Sequence, residues 1–193
     1  MKKIVFCVMF LMSGVQANIS PAGFEAFPNY YFVETGTFDG QGIRYALRAK
    51  FPEIHSVELF AINVANVSRL FSNYSNVHVH HGDSGKILYD VIKDLDKPIT
   101  FWLDAHSGVD NPNQKNTPIL EELEQIKQHH IKTHTILVDD MHCSGKIMFD
   151  GITKEQIAAK IMEINPEYVI SYIPGGNDAE YPVNVMVAQV PQS

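Results

Sequence analysis

The sequence predicts a doubly wound α/β domain built on a mostly parallel sheet. Three observations carry that expectation. Apolar runs alternate with stretches of helical periodicity five times, several of the runs end in acids, and a glycine-rich turn follows the first. A last pair of apolar runs, linked through glycine and proline, adds an antiparallel end to the sheet.

The elements follow in order. Tyr31 to Glu34 is an apolar run ending in an acid; a turn to Gly42 follows, then a helix from Ile43 to Phe51. Ile54 to Leu59 reads as a short strand ending at Glu58, and Ile62 to Phe71 as a helix with Ile62, Ala65 and Leu70 on its apolar side. Val77 to Gly82 alternates like a strand and stops at Gly82-Asp83-Ser84. Ile87 to Leu95 places Leu88, Val91, Ile92 and Leu95 on one helical face. Pro98 to Asp104 is a fourth strand, followed by a polar loop from Ser107 to Asn116. Thr117 then caps a helix with Pro118 at its first position and acids in its first turn. Thr135 to Asp140 is a fifth strand, Thr153 caps a helix reaching Ile164, and Tyr168–Ile173 and Val183–Val190 complete seven strands.

At 193 residues, with 45% hydrophobic and 19% charged residues, the chain has the size and composition of one globular domain. A net charge of −7 without a basic cluster disfavours nucleic acid, because neutralising phosphates needs a cationic surface. Residues 1–17 differ from the rest. Lys2 and Lys3 precede the apolar run Ile4 to Met12, and small residues at Val15 and Ala17 fit a signal-peptidase site. This predicts a secretory signal over 1–17 and a domain over 18–193, with no stable transmembrane span because the apolar run is too short. Cleavage there would remove Cys7 and leave Cys143 without an internal disulfide partner. The sequons at Asn18, Asn66 and Asn73 are read as chance occurrences.

The chemistry collects where the strands end, the position at which open α/β sheets bind ligands. Glu34, Glu58, Asp83, Asp104, Asp139 and Asp140 close successive strands. Any one of them could simply cap a helix or turn. Together they converge on one rim, where they repel each other unless a cation or hydrogen-bonding ligand intervenes. The first turn reads E-x-G-x-x-x-G-x-G, from Glu34 through Gly36 and Gly40 to Gly42, and lacks the spacing used for dinucleotide pyrophosphates. An acid there repels phosphate and suits a nucleoside-like ligand with an amine or sulfonium centre. Glu58 follows Gly36 by 22 residues, the interval at which a second-strand carboxylate meets ribose hydroxyls. Asp83 is placed to meet an adenine amino group.

Four segments carry a resemblance: Val33 to Gly42, Ser56 to Leu59, His81 to Ser84, and Phe101 to His106. In order and spacing they resemble the motifs of class I S-adenosylmethionine-dependent methyltransferases over roughly Asn29 to Val190. The resemblance implies a Rossmann-like methyltransferase domain whose seven-stranded sheet is mostly parallel with an antiparallel last strand. It also implies that S-adenosylmethionine is held by Glu34, Gly36, Thr37, Gly40, Glu58, Asp83, Ser84 and Asp104. Within the class, Leu103 to His106, Thr117 to Leu120 and Ile136 to Asp140 are similar to metal-dependent O-methyltransferases of the macrocin and catechol kind. That similarity implies Asp104, Asp139 and Asp140 as ligands of Mg²⁺ or another divalent metal, which prefers oxygen donors and keeps several waters. The metal would orient a small hydroxylated acceptor and lower its hydroxyl pKa.

His106 and His142 flank these acids and are candidates, with Asp104, for the catalytic group. As ligands instead, two histidines with three aspartates would favour Mn, Fe or Zn. His80 and His81 read as strand or rim residues, and His129 and His130 as charges at a helix C-terminus. A homodimer stays open. The export-like segment conflicts with a methyl donor made in the cytoplasm, so location is undecided. It also keeps an alternative alive, an exported non-catalytic binding protein on the same fold. A metal-dependent hydrolase using the acidic and histidine rim is a third reading, which leaves the glycine turn unexplained.

Overall fold

A computed structural model describes residues 21–107, 112–174 and 183–191. The expected export segment and the connection between the last two strands, residues 175–182, lie outside the described residues. Seven strands form one sheet: β1 (Tyr31–Thr35), β2 (Glu53–Glu58), β3 (Val77–His81), β4 (Ile99–Leu103), β5 (Thr135–Val138), β6 (Val169–Ile173) and β7 (Val185–Gln189). Their spatial order is β3-β2-β1-β4-β5-β7-β6, and β7 alone runs against its neighbours. The strand order reverses between the parallel neighbours β1 and β4, which places the ends of those two strands side by side.

Among the described residues, α1 (Pro21–Glu25) precedes the sheet, and α2 (Gln41–Arg48), α3 (Ala61–Leu70), α4 (Ser84–Ile92), α5 (Ile119–Gln128) and α6 (Lys154–Ile164) connect its strands. Successive residues of the central strands point to opposite faces and build two cores. On one face Phe32, Trp102, Leu137 and Val187 meet α1, α2 and α3. On the other Val33, Phe101, Leu103, Ile136 and Val138 meet α4, α5 and α6. All five side chains of β1 and of β4 are buried, as strands covered on both faces must be.

The expected helix starts earlier, at Ser84, and ends at Ile92; α4 buries Leu88 and Ile92, and Leu95 is buried just beyond it. Thr153 caps α6 in a full capping box with Gln156. The start of α5 falls later than expected, because Pro118 itself occupies the cap position and Thr117 accepts a bond from the Ile119 amide.

Two expectations are corrected, and one further element appears. The apolar side of α3 is not the one read from Ile62, Ala65 and Leu70: Ile62 is 67% and Leu70 52% exposed, while Val67 is buried. The helix turns its Val67 side inward, with buried Phe71 one turn further on. The sequence gives no signal for α1, yet Phe24 packs edge-on against Phe32 and Trp102 at ring-centre distances of 4.8 and 5.2 Å. His129 is no exposed helix-end charge. It is fully buried, its Nε2 bonds the Leu95 carbonyl at 3.1 Å, and its Nδ1 meets His134 Nε2 at 3.1 Å. His134 in turn accepts the Ile99 amide at 3.1 Å, so the two rings tie the starts of β4 and β5 to the end of α5.

Candidate functional site

The turn after β1 is shaped by close contacts. At Gly36 the backbone has φ +85°, and a Cβ there would lie 2.3 Å from the Asp104 carbonyl oxygen. Only glycine lets this turn rest on the end of β4. Gly42 in α2 is equally constrained, since a Cβ would fall 1.8 Å from Oε2 of Glu34. Gly40 is the N-cap of α2 and lies over the Phe71 ring.

Glu34 points inward. Its Oε1 accepts the Ser56 hydroxyl at 2.6 Å, and Ser56 also meets the Thr37 hydroxyl. Burial pushes the Glu34 carboxyl up to about 8 against the lowering bond from Ser56, with Asp104 and Glu58 adding to the rise. Glu34, Ser56 and Thr37 therefore form a buried polar chain under the turn. Ser56 was not among the expected site residues. It reaches Glu34 because β1 and β2 pair in the register Glu34↔Ser56.

Glu58, at the end of β2, braces the same turn from the other side. Its Oε2 accepts the Phe38 amide at 2.8 Å and its Oε1 the Phe60 amide at 2.7 Å. Phe38 takes φ +46°, an unfavourable conformation for an aromatic residue that the surrounding bonds enforce. Asp83 is the N-cap of α4, accepting the Gly85 amide at 3.0 Å and facing Lys86 Nζ at 2.9 Å. The Ser84 hydroxyl is committed to Glu122 of α5, at 2.5 Å. Burial pushes Glu122 up to about 7 despite that bond, with Asp83 and Asp104 contributing. The sequence reads Glu122 as an acid of the first helical turn, and the packing of α5 on α4 turns it inward instead.

At the ends of β4 and β5 the acids gather around a histidine. His106 Nδ1 lies 3.3 Å from Asp104 Oδ1, and its Nε2 lies 3.1 Å from Asp140 Oδ2. Burial alone would lower the His106 pKa, but the two carboxylates override it and push it up to about 10. Asp140 is held below its ordinary value: His106 and Asn184 outweigh the effect of burial. Burial raises Asp104, and it raises Asp139 strongly with help from Asp104 and Asp140.

Ligand atoms of Asp104, His106 and Asp140 lie within 4.8 Å of one another, a spacing a single cation can span. This set differs from the expected three aspartates. Asp139 instead uses Oδ1 to accept the Asp140 amide at 2.8 Å and the Asn184 side chain at 3.3 Å. Asn184 also donates to Asp140 Oδ1 at 3.1 Å and accepts from His142 Nδ1 at 2.6 Å. It comes from the entry to β7, and its position beside β5 depends on antiparallel pairing that its own sequence neighbourhood does not announce. Asp140 itself takes φ +54°, so the backbone turns sharply at the acid pair.

Beside this cluster, a void of about 10 Å³, room for one water, is lined by Ala105, His106, Glu122 and Phe149. A wider cleft of about 330 Å³ is lined by Asn116, Lys146, Ile147 and Asp150. Asp150 fixes one wall by accepting the Asn116 and Thr117 amides at 3.0 and 3.1 Å.

No family model matches the sequence, and no curated protein does. Solved structures do. An O-methyltransferase from Bacillus cereus in complex with SAH is similar at a TM-score of 0.61 and 14% identity, over 91% of this chain and 83% of that one. The O-methyltransferase TomG from Streptomyces achromogenes, involved in tomaymycin synthesis and solved with SAM, gives 0.60 and 14% over 89% and 78%. The SAH-bound methyltransferase PaMTH1 of Podospora anserina gives 0.55 and 13% over 85% and 73%. At such identities the likeness is one of fold. This chain has the Rossmann-like class I methyltransferase fold, with its reversed last strand.

Proposed function

We propose that the chain is an S-adenosylmethionine-dependent methyltransferase acting on an oxygen of a small hydroxylated acceptor, with help from a divalent metal. One observation carries this reading. The turn after β1 lies directly on the backbone of Asp104, so a ligand held at that turn adjoins the Asp104, His106 and Asp140 cluster. A donor and an acceptor held there would meet at short range, which removes much of the entropic cost of bringing them together.

In this reading the glycine turn and Glu58 receive the nucleoside, and the acids along the rim favour the sulfonium charge. Asp104 and Asp140, with Asp139 beside them, would hold the metal. The metal would supply orientation of acceptor oxygens and a lowered hydroxyl pKa. Methyl transfer breaks the sulfur–methyl bond, forms the oxygen–methyl bond and sends the hydroxyl proton to a base. His142 fits that base better than His106. Asn184 orients it through Nδ1 at 2.6 Å, its Nε2 lies 3.3 Å from the Cys143 thiol, and both nitrogens of His106 face carboxylates.

A second reading, a metal-independent transferase, draws on the same cluster, because an imidazolium between Asp104 and Asp140 already supplies a cation. Calorimetry on the full chain tests these ideas. S-adenosylmethionine and S-adenosylhomocysteine are titrated with and without Mg²⁺, into the wild type and into Gly36→Ala, Glu58→Gln and Asp140→Asn. Donor binding weakened in Glu58→Gln and kept in Asp140→Asn supports the proposed division of the site. Absence of binding in the folded wild type refutes the enzyme and leaves the exported binding protein. Turnover unaffected by chelator selects the metal-independent form.

A further inference from the structure

A second constellation of metal-ligating groups lies at the opposite end of the sheet, where the strands begin. Glu53 opens β2, His55 follows two places later, and His78 and His80 belong to the edge strand β3. Parallel pairing sets His55 against His78, so two imidazoles and one carboxylate meet across the strands. His55 Nε2 lies 3.2 Å from Glu53 Oε1, and His78 Nε2 lies 3.8 Å from the same oxygen. Ligand atoms of all three residues lie within 4.8 Å of one another. Tetrahedral ligands at about 2.0–2.1 Å from a zinc ion sit roughly 3.3 Å apart. The observed separations bracket that value, and small side-chain rotations would close the set.

A third histidine strengthens the case. His80 Nε2 lies 3.1 Å from His55 Nδ1. With a metal on Nε2 of His55, the proton would sit on Nδ1 and be donated to His80. A ligating histidine usually has its second nitrogen held in this way, which fixes tautomer and ring orientation. The rings also stack, with His55 4.9 Å from His78 and 5.3 Å from His80 at interplanar angles of 27° and 17°.

We propose that Glu53, His55 and His78 form a site for a divalent transition metal of the zinc type, with His80 as the residue that orients His55. Two nitrogens and one oxygen favour such an ion over Mg²⁺ or Ca²⁺. His78 and Glu53 are 43% and 32% exposed, so the ion has a route in and a fourth position open to solvent. Bound there, it cross-links edge strand β3 to β2. The site is independent of the methyltransferase reading.

The test uses the full chain without a histidine tag, stripped of metal by chelator. Zn²⁺ is titrated calorimetrically, and Co²⁺ is added as a visible probe of four-coordinate geometry. His78→Ala, at an exposed position, is expected to weaken Zn²⁺ by at least about 100-fold and to abolish the Co²⁺ bands. His80→Ala is expected to weaken binding by about 10- to 100-fold, and His80→Gln, which restores an acceptor, to recover most of it. Asp140→Asn, in the other cluster, should leave the Co²⁺ bands intact. The proposal is overturned if folded His78→Ala binds Zn²⁺ like the wild type, or if Asp140→Asn alone removes the bands.

Discussion

Glu122→Gln should make this protein more stable at high pH and leave it nearly unchanged in acid. The Glu122 carboxyl is 1% exposed, and burial lifts its pKa from an ordinary 4.5 to about 7. Between those values the folded chain holds a proton that the unfolded chain has released. Stability therefore falls as pH rises through that window, and the loss is complete above about pH 7. At about 1.36 kcal/mol per pH unit, the interval amounts to ~3 kcal/mol. Glutamine has the same shape, carries no charge and still accepts the Ser84 hydroxyl that holds the start of α4. Urea unfolding at pH 8 should show the variant more stable by ~2–3 kcal/mol, or roughly 4–12 °C in Tm for a chain of this size. At pH 4.5 the two proteins should nearly coincide. Equal stability at pH 8, or the same difference at both pH values, would mean that Glu122 is not a strained acid.

The remaining predictions concern other parts of the molecule. His134 is buried, and its pKa is lowered to about 3 by burial and by His129, so the folded chain resists the proton that the unfolded chain binds near pH 6.5. Stability should fall by about 2 kcal/mol between pH 6.5 and 5 on this account; His134→Phe should show a shallower slope in urea midpoints, and an unchanged slope would remove His134 from the explanation. Gly42→Ala should destabilise by about 1–3 kcal/mol, because its Cβ would collide with the buried Glu34 carboxylate, and thermal unfolding with donor titration reads both consequences. Thr153→Ala should cost about 1 kcal/mol through loss of the α6 cap, with donor binding unchanged. Asn184→Ala should leave the fold standing yet lower kcat more than it changes donor affinity, since Asn184 orients His142 and both Asp139 and Asp140; equal loss in both quantities would contradict a positioning role.

The sequence alone determined the alternation of strands and helices, the seven-stranded count and the reversed end. These follow from local periodicity, and local periodicity is set by which faces a segment must bury. It also placed Glu34, Glu58, Asp83, Asp104, Asp139 and Asp140 at or near strand ends, because apolar runs there give way to acids and turn residues. It misjudged the inward side of α3, where several apolar residues stay exposed and Val67 decides the packing. Only the tertiary structure decided what the acids face. Ser56 meets Glu34 through strand register, Ser84 meets Glu122 across two packed helices, and Asn184 arrives beside Asp139 and Asp140 from the far end of the chain. The same holds for His106, which stands between two carboxylates, and for His129, buried where a surface charge was expected. Contacts between residues tens of positions apart depend on register and helix packing, and a linear pattern encodes those only through the fold as a whole.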